Sequence, residues 1–196
     1  MSPVTTSAWP DHLLELPDWE FLPTDEPHRI ECVEGVLLVA PKPPPQHQRT
    51  MVRLCTTLER ALPEGYEVLA GVEILLSRVP LTVRAPDVVV VDSAALRGNP
   101  PRLPGTAVLL AVEVLSEGSR RTDRVTKMSE YAEAGIREYW IIDLADGATT
   151  LSIYTLNSLG LYDRLGDYTG TVHVTACGTP ITLDLEAVSG ISRGPR

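Results

Sequence analysis

Residues 107–115 read AVLLAVEVL, an apolar run broken by one charged residue, Glu113. A second run, Val88-Val89-Val90-Val91, is wholly β-branched and shows no polar alternation. Runs of this kind mark strands covered on both faces, so the chain must place layers above and below a sheet. Helical spacing supplies such layers. Met51, Leu54, Cys55, Leu58 and Leu62 recur at helical intervals over 46–62, with Arg49, Arg53 and Arg60 off that stripe. A second helix is predicted over about 122–134 and stops at Gly135. On its wheel Val125, Met128 and Ala132 form the apolar stripe, and Lys127 pairs with Asp123 on a solvated face.

Further strands are predicted at 66–70, 72–77, 83–91, 138–143 and 149–156, the last entered through a turn at Asp146-Gly147. Two more strands turn at Glu34-Gly35 within 29–40, and the prolines of 41–45 form a rigid connector to the first long helix. A short helix at 11–16 should be stopped by Pro17. The economical arrangement is α/β, a central mixed β-sheet flanked by helices with an antiparallel β-rich C-terminal part. We read one domain over 29–190, with an N-terminal arm at 1–28 and a tail at 191–196.

Charge narrows the functional classes. A formal net charge of −9 excludes a protein that coats nucleic acid by bulk charge, but permits a basic strip beside clustered carboxylates. Fifteen of the 17 basic residues are Arg, so Lys42 and Lys127 stand out. Cys32, Cys55 and Cys177 are odd in number and lack C-x-x-C pairing, which argues against a zinc knuckle or a disulfide framework. No apolar run approaches membrane-spanning length, and the N-terminus has no signal-peptide pattern. The expected setting is soluble, reduced and cytoplasmic, with no membrane partner.

Three residues invite chemistry. Glu113 ionised and unpaired in a buried strand would cost several kcal/mol, so it needs a cation, a proton or solvent. Asp87 follows Pro86, which cannot donate to a sheet ladder and therefore marks an edge, a bulge or a strand start facing a cleft. Two carboxylates at neighbouring strand ends repel, and a divalent cation relieves both penalties. Hard oxygen donors without nearby His or Cys point to Mg²⁺ or Mn²⁺. Against this, Asp87 alone reads as a strand-start residue and Lys127 alone as half of a solvated helical pair.

In order and context, Asp87, Glu113 and Lys127 resemble the PD-(D/E)XK nuclease superfamily, and more specifically its restriction-endonuclease branch, the Uma-two family. The matching text is RIECVEG (29–35), PPPQHQRTMVRL (43–54), RAPDVVVV (84–91), AVEVLSEGSRRTDRVTKMSEYAEAGIREYWIID (111–143) and LDLEAVSG (183–190). The resemblance implies a restriction-endonuclease-like core in which Pro86-Asp87 and Glu113 bind metal, with the backbone carbonyl of Val114 and the Glu31 carboxylate as further ligands. The strand lysine of the signature is replaced by Leu115, and Lys127 matches the lysine that members of this branch carry in the following helix. His47 matches a family position near the helix start and is read as a substrate contact, alongside Arg120, Arg121 and Arg124 for a phosphate backbone. Ser116, Asp123 and Tyr131 match too, and capping, an ion pair and packing account for them.

Two functions follow as expectations. One is a Mg²⁺-dependent endonuclease hydrolysing phosphodiester bonds, most readily in DNA, leaving 5′-phosphate and 3′-hydroxyl ends. As a homodimer, such a small nuclease would have the two sites needed to cut both strands. The other is a nuclease-fold module without catalysis, used for nucleic-acid binding or protein interaction.

Overall fold

The computed structural model describes residues 11–22, 28–115, 122–144 and 148–191. The elements are α1 (Leu16–Glu20), β1 (His28–Val33), β2 (Val36–Pro41), α2 (Pro45–Ala61), β3 (Tyr66–Ala70), β4 (Ile74–Arg78), β5 (Leu81–Arg84), β6 (Val88–Asp92), β7 (Leu103–Pro104) and β8 (Val108–Leu115). A π-helical turn at Thr122–Thr126 leads into α3 (Lys127–Glu133), followed by β9 (Glu138–Asp143), β10 (Thr150–Leu156), β11 (Tyr162–Thr169), β12 (Thr171–Ala176), β13 (Thr179–Asp184) and α4 (Leu185–Ser189).

Among the described residues these strands form a six-stranded sheet, β11-β10-β9-β8-β6-β3, a five-stranded sheet, β2-β1-β5-β4-β7, and the hairpin β12-β13. The larger sheet is mixed, because β8 and β9 run parallel while its other neighbours are antiparallel. The mixed α/β architecture and the antiparallel C-terminal part are as the sequence implies.

Both faces of the larger sheet are covered, as the non-alternating runs require. Val88, Val90, Leu110, Val112 and Val114 pack with Leu54 and Leu58 of α2 and with the β12-β13 hairpin. Val89, Val91, Ala111 and Leu115 face the other way, onto Ile74, Leu103, Tyr131 and Ile136. A third cluster, Leu14, Trp19, Cys32, Leu81 and Val83, seats α1 against the smaller sheet. The Glu34-Gly35 turn has both residues at positive φ, 49° and 81°, and a Cβ on Gly35 would lie 2.9 Å from the Leu13 Cβ. Only glycine fits both demands.

Two predicted elements come out differently. The strand over 83–91 is divided: β5 ends at Arg84 in the smaller sheet and β6 begins at Val88 in the larger one. Pro86 lies between them, and its missing N–H ends the ladder there. The predicted helix at 11–16 is instead α1, with Pro17 in its first turn and Glu15 and Asp18 forming a reciprocal capping box. Proline tolerates that position because its absent N–H has no partner to lose. The expectations for residues 1–10 and 192–196 and for the Asp146-Gly147 turn lie outside the described residues.

Candidate active site

Strand phase decides which side chains meet. Successive side chains on a strand alternate faces, so Asp87 is in phase with Val89 and Val91, and Glu113 with Ala111 and Leu115. Both carboxylates therefore occupy the face of the larger sheet turned toward the smaller sheet and α3. Asp87 lies where the chain crosses between the sheets, immediately before β6.

Asp87 is 2% exposed and fully engaged. Its Oδ1 accepts from Arg29 Nη1 at 2.7 Å, and its Oδ2 accepts from the Val114 amide at 2.8 Å and lies 3.0 Å from His47 Nε2. Glu113 Oε1 accepts from the Tyr131 hydroxyl at 2.7 Å and lies 2.9 Å from Lys127 Nζ. The same ammonium is 3.2 Å from Asp123 Oδ1 and 3.6 Å from Glu31 Oε1. Glu31 also accepts from the Ala85 amide at 3.1 Å and from Arg84 Nη1 at 2.8 Å. Arg84 in turn grips Glu130 with Nε and Nη2 at 2.7 and 2.8 Å, the bidentate geometry that suits a guanidinium. Five carboxylates (Glu31, Asp87, Glu113, Asp123, Glu130) thus surround three fixed cations, Arg29, Arg84 and Lys127, leaving negative charge in excess.

The two strand carboxylates differ electrostatically. Burial pushes Glu113 up to about 7; Lys127 opposes this, while Asp87 and Asp123 add to it. Burial also acts on Asp87, but His47, Arg29 and the Val114 amide outweigh it and hold the group down to about 2. For Glu31, burial is overcome by Lys127, Arg29 and Arg84, so it stays below the ordinary carboxylate range. Burial disfavours the Lys127 ammonium, yet Glu113, Glu31 and Asp123 keep its pKa above the ordinary value. At neutral pH Asp87 and Lys127 are charged, and Glu113 is near its titration point.

Because the folded-state pKa of Glu113 is raised, the folded protein holds a proton there that the unfolded chain has already released. The contribution is present below the unfolded value and is lost as pH rises through about 7. Glu113→Gln should therefore melt above wild type at pH 8, and the gap should narrow by pH 5. Melting curves across that range check it; a constant gap would show that Glu113 does not titrate there.

The structure brings Asp87, Glu113, Lys127, Glu31 and His47 together. Val114 joins them through its amide on Asp87. Arg124 stands apart, with Nη2 donating to Asp143 Oδ2 at 3.0 Å. Arg120, Arg121 and Ser116 lie outside the described residues. The helical wheel of 122–134 is corrected: Lys127 is 5% exposed, whereas Val125 from the supposed apolar stripe is 62% exposed. The π turn at Thr122–Thr126 is the reason, since its wider winding shifts the register that an α-helical wheel assumes. The i,i+4 contact of Lys127 with Asp123 exists, but inside the protein. Tyr131 also does more than pack, since its hydroxyl donates to Glu113. Leu115 is buried beside Tyr131, Tyr139 and Ile141, so the strand position of the signature lysine is part of the core.

Arg29, Arg84 and Glu130 were not singled out from the sequence. Local hints exist for two of them, though not for their partners. Arg29 and Glu31 are two apart on one strand and so share a face, and Arg84 ends an apolar strand as abruptly as Glu113 interrupts one.

No curated protein matches the chain. Among solved structures, the fold is similar to "a putative nuclease belonging to DUF820 from Anabaena variabilis ATCC 29413", with a TM-score of 0.67 and 16% sequence identity over 90% of this chain and 98% of that one. A family model, that of Uma2, described as "Putative restriction endonuclease", matches residues 10–179, which is most of the chain. The chain belongs to the Uma2 family.

Proposed function

We propose that this protein is a metal-dependent endonuclease whose reaction centre is the cluster of Asp87, Glu113 and Lys127. The observation that carries this reading is the convergence of two buried carboxylates, Asp87 at the crossing before β6 and Glu113 on β8, with a buried ammonium from α3, 2.9 Å from Glu113. Such a concentration of charge in an interior is expensive unless it serves a purpose.

The donor chemistry fits a hard divalent cation, because the centre is rich in carboxylate oxygen and its negative charge exceeds its fixed positive charge. Among the described residues, no group of three or more His, Cys, Asp or Glu side chains is already arranged to hold a metal ion. Each carboxylate is instead turned onto a resident cation. Asp87 and Glu113, with Glu31 and the Val114 carbonyl, would hold Mg²⁺ or Mn²⁺. Such an ion would supply Lewis acidity for the phosphate and for water activation.

The remaining work falls to the chain itself. Lys127 holds its proton, so it acts as a charge donor that positions the attacking water and stabilises charge on the phosphate. His47 fixes the Asp87 carboxylate through Nε2, a positioning role. Arg120, Arg121 and Arg124 supply cations for a phosphate backbone, and a second copy of the chain would allow both strands of DNA to be cut.

The test is cleavage of DNA at millimolar Mg²⁺. Wild type should cut, chelation should stop it, and Asp87→Asn should cut slower by ~10²-fold or more. Cleavage by Asp87→Asn at the wild-type rate would overturn the assignment. Metal-strengthened binding with no cleavage by wild type would favour the non-catalytic binding module instead.

A further inference from the structure

The three cations of the cluster are not held alike. The side chains of Arg84 and Lys127 are 1% and 6% exposed, whereas that of Arg29 is 24% exposed. Arg29 also reaches each of the three carboxylates assigned above to the metal. Its guanidinium is 2.7 Å from Asp87 Oδ1, 3.5 Å from Glu31 Oε1 and 4.0 Å from Glu113 Oε2, and it donates to the Ala85 carbonyl. The carboxylates thus share a cation already, and that cation is the one with an open path to solvent.

A guanidinium and a divalent ion cannot occupy the same position among these oxygens, and like charges a few ångströms apart repel strongly where water is scarce. We propose that Arg29 is a resident counter-ion: it holds the cleft carboxylates in the free protein, is displaced when a divalent cation binds, and then offers its guanidinium to the substrate phosphate. The inference rests on the metal-centre reading. It accounts for one cation being shared by Asp87, Glu31 and Glu113. A planar, permanently charged fork suits both partners, since it matches carboxylate and phosphate oxygens alike.

Mn²⁺ titration by calorimetry, on the full chain, tests this with a readout independent of cleavage. Arg29→Met keeps the apolar stem and removes the charge, so it should bind Mn²⁺ about tenfold tighter than wild type or better, with Arg29→Lys in between. Nucleic-acid affinity in Ca²⁺ should move the opposite way and fall about tenfold in Arg29→Met, as one phosphate contact is lost. A merely structural arginine would weaken both. Equal or weaker Mn²⁺ binding by Arg29→Met overturns the role of Arg29 and leaves the metal centre standing. No Mn²⁺ binding by wild type or by any variant overturns the metal centre itself.

If Arg29→Met does not fold without metal, ¹⁵N-arginine spectra of wild type decide. Saturating Mg²⁺ should move the Arg29 guanidinium signal and speed its proton exchange. An unchanged signal at saturation overturns the proposal.

Discussion

Lys127→Met should lose cleavage by roughly 10²-fold or more and lower stability at the same time. The first effect is that of removing one preorganised donor from the transition state. The second has a separate origin. Nζ is the partner of Glu113, Asp123 and Glu31, all of them buried or nearly so. Truncating one member of a buried ionic group leaves the others uncompensated and typically costs about 3–5 kcal/mol. Here part of that cost is relieved when Glu113 takes up a proton. The deficit in melting temperature should therefore be larger at pH 8 than at pH 6, and single-turnover rates with melts at both pH values measure it. Lys127→Arg should recover much of the stability and little of the rate, because a planar fork cannot put its charge at the point an ammonium occupies. A Lys127→Met variant with full activity would remove Lys127 from the chemistry.

Arg84→Met should be the most damaging change to stability outside the chemistry. Arg84 is 1% exposed and donates three hydrogen bonds, two to Glu130 on α3 and one to Glu31 on β1. It thereby ties β5 and β1 of the smaller sheet to the helix that carries Lys127. Losing it strands two carboxylates, again at about 3–5 kcal/mol, which for a chain of this size is a drop of roughly 10 °C in melting temperature. Below the melting transition, cleavage per folded molecule should change much less than in Lys127→Met. Paired thermal melts and rates separate the two variants. The same rate loss in both would mean that Lys127 acts only through the fold.

Much of this was legible in the sequence because apolar runs and lone charges obey local rules. The Val88–Val91 run and the strand around Glu113 set the doubly covered sheet, and Glu113 announced itself by interrupting a core strand. Periodicity failed where the backbone departs from regular winding. The wheel of 122–134 assumed one α-helix, and the π turn before α3 turned Lys127 inward and Val125 outward. The strand predicted over 83–91 runs through Pro86, whereas the hydrogen-bond ladder stops at Arg84 and resumes at Val88 in the other sheet. Arg29, Arg84 and Glu130 escaped because their meaning depends on partners 46 to 58 residues away, which no local pattern reports.

Whether Asp87, Glu113 and Lys127 form one metal-dependent hydrolytic centre is decided by single-turnover cleavage of a labelled duplex in Mg²⁺. Wild type, Asp87→Asn, Lys127→Ala and the double variant are compared under conditions where all are folded. Groups that act as a unit lose activity non-additively. Wild type should cut, each single variant should drop by ~10²-fold or more, and the double variant should be no slower than the slower single. Background-level cleavage by wild type, or losses that multiply in the double variant, would contradict a single hydrolytic centre.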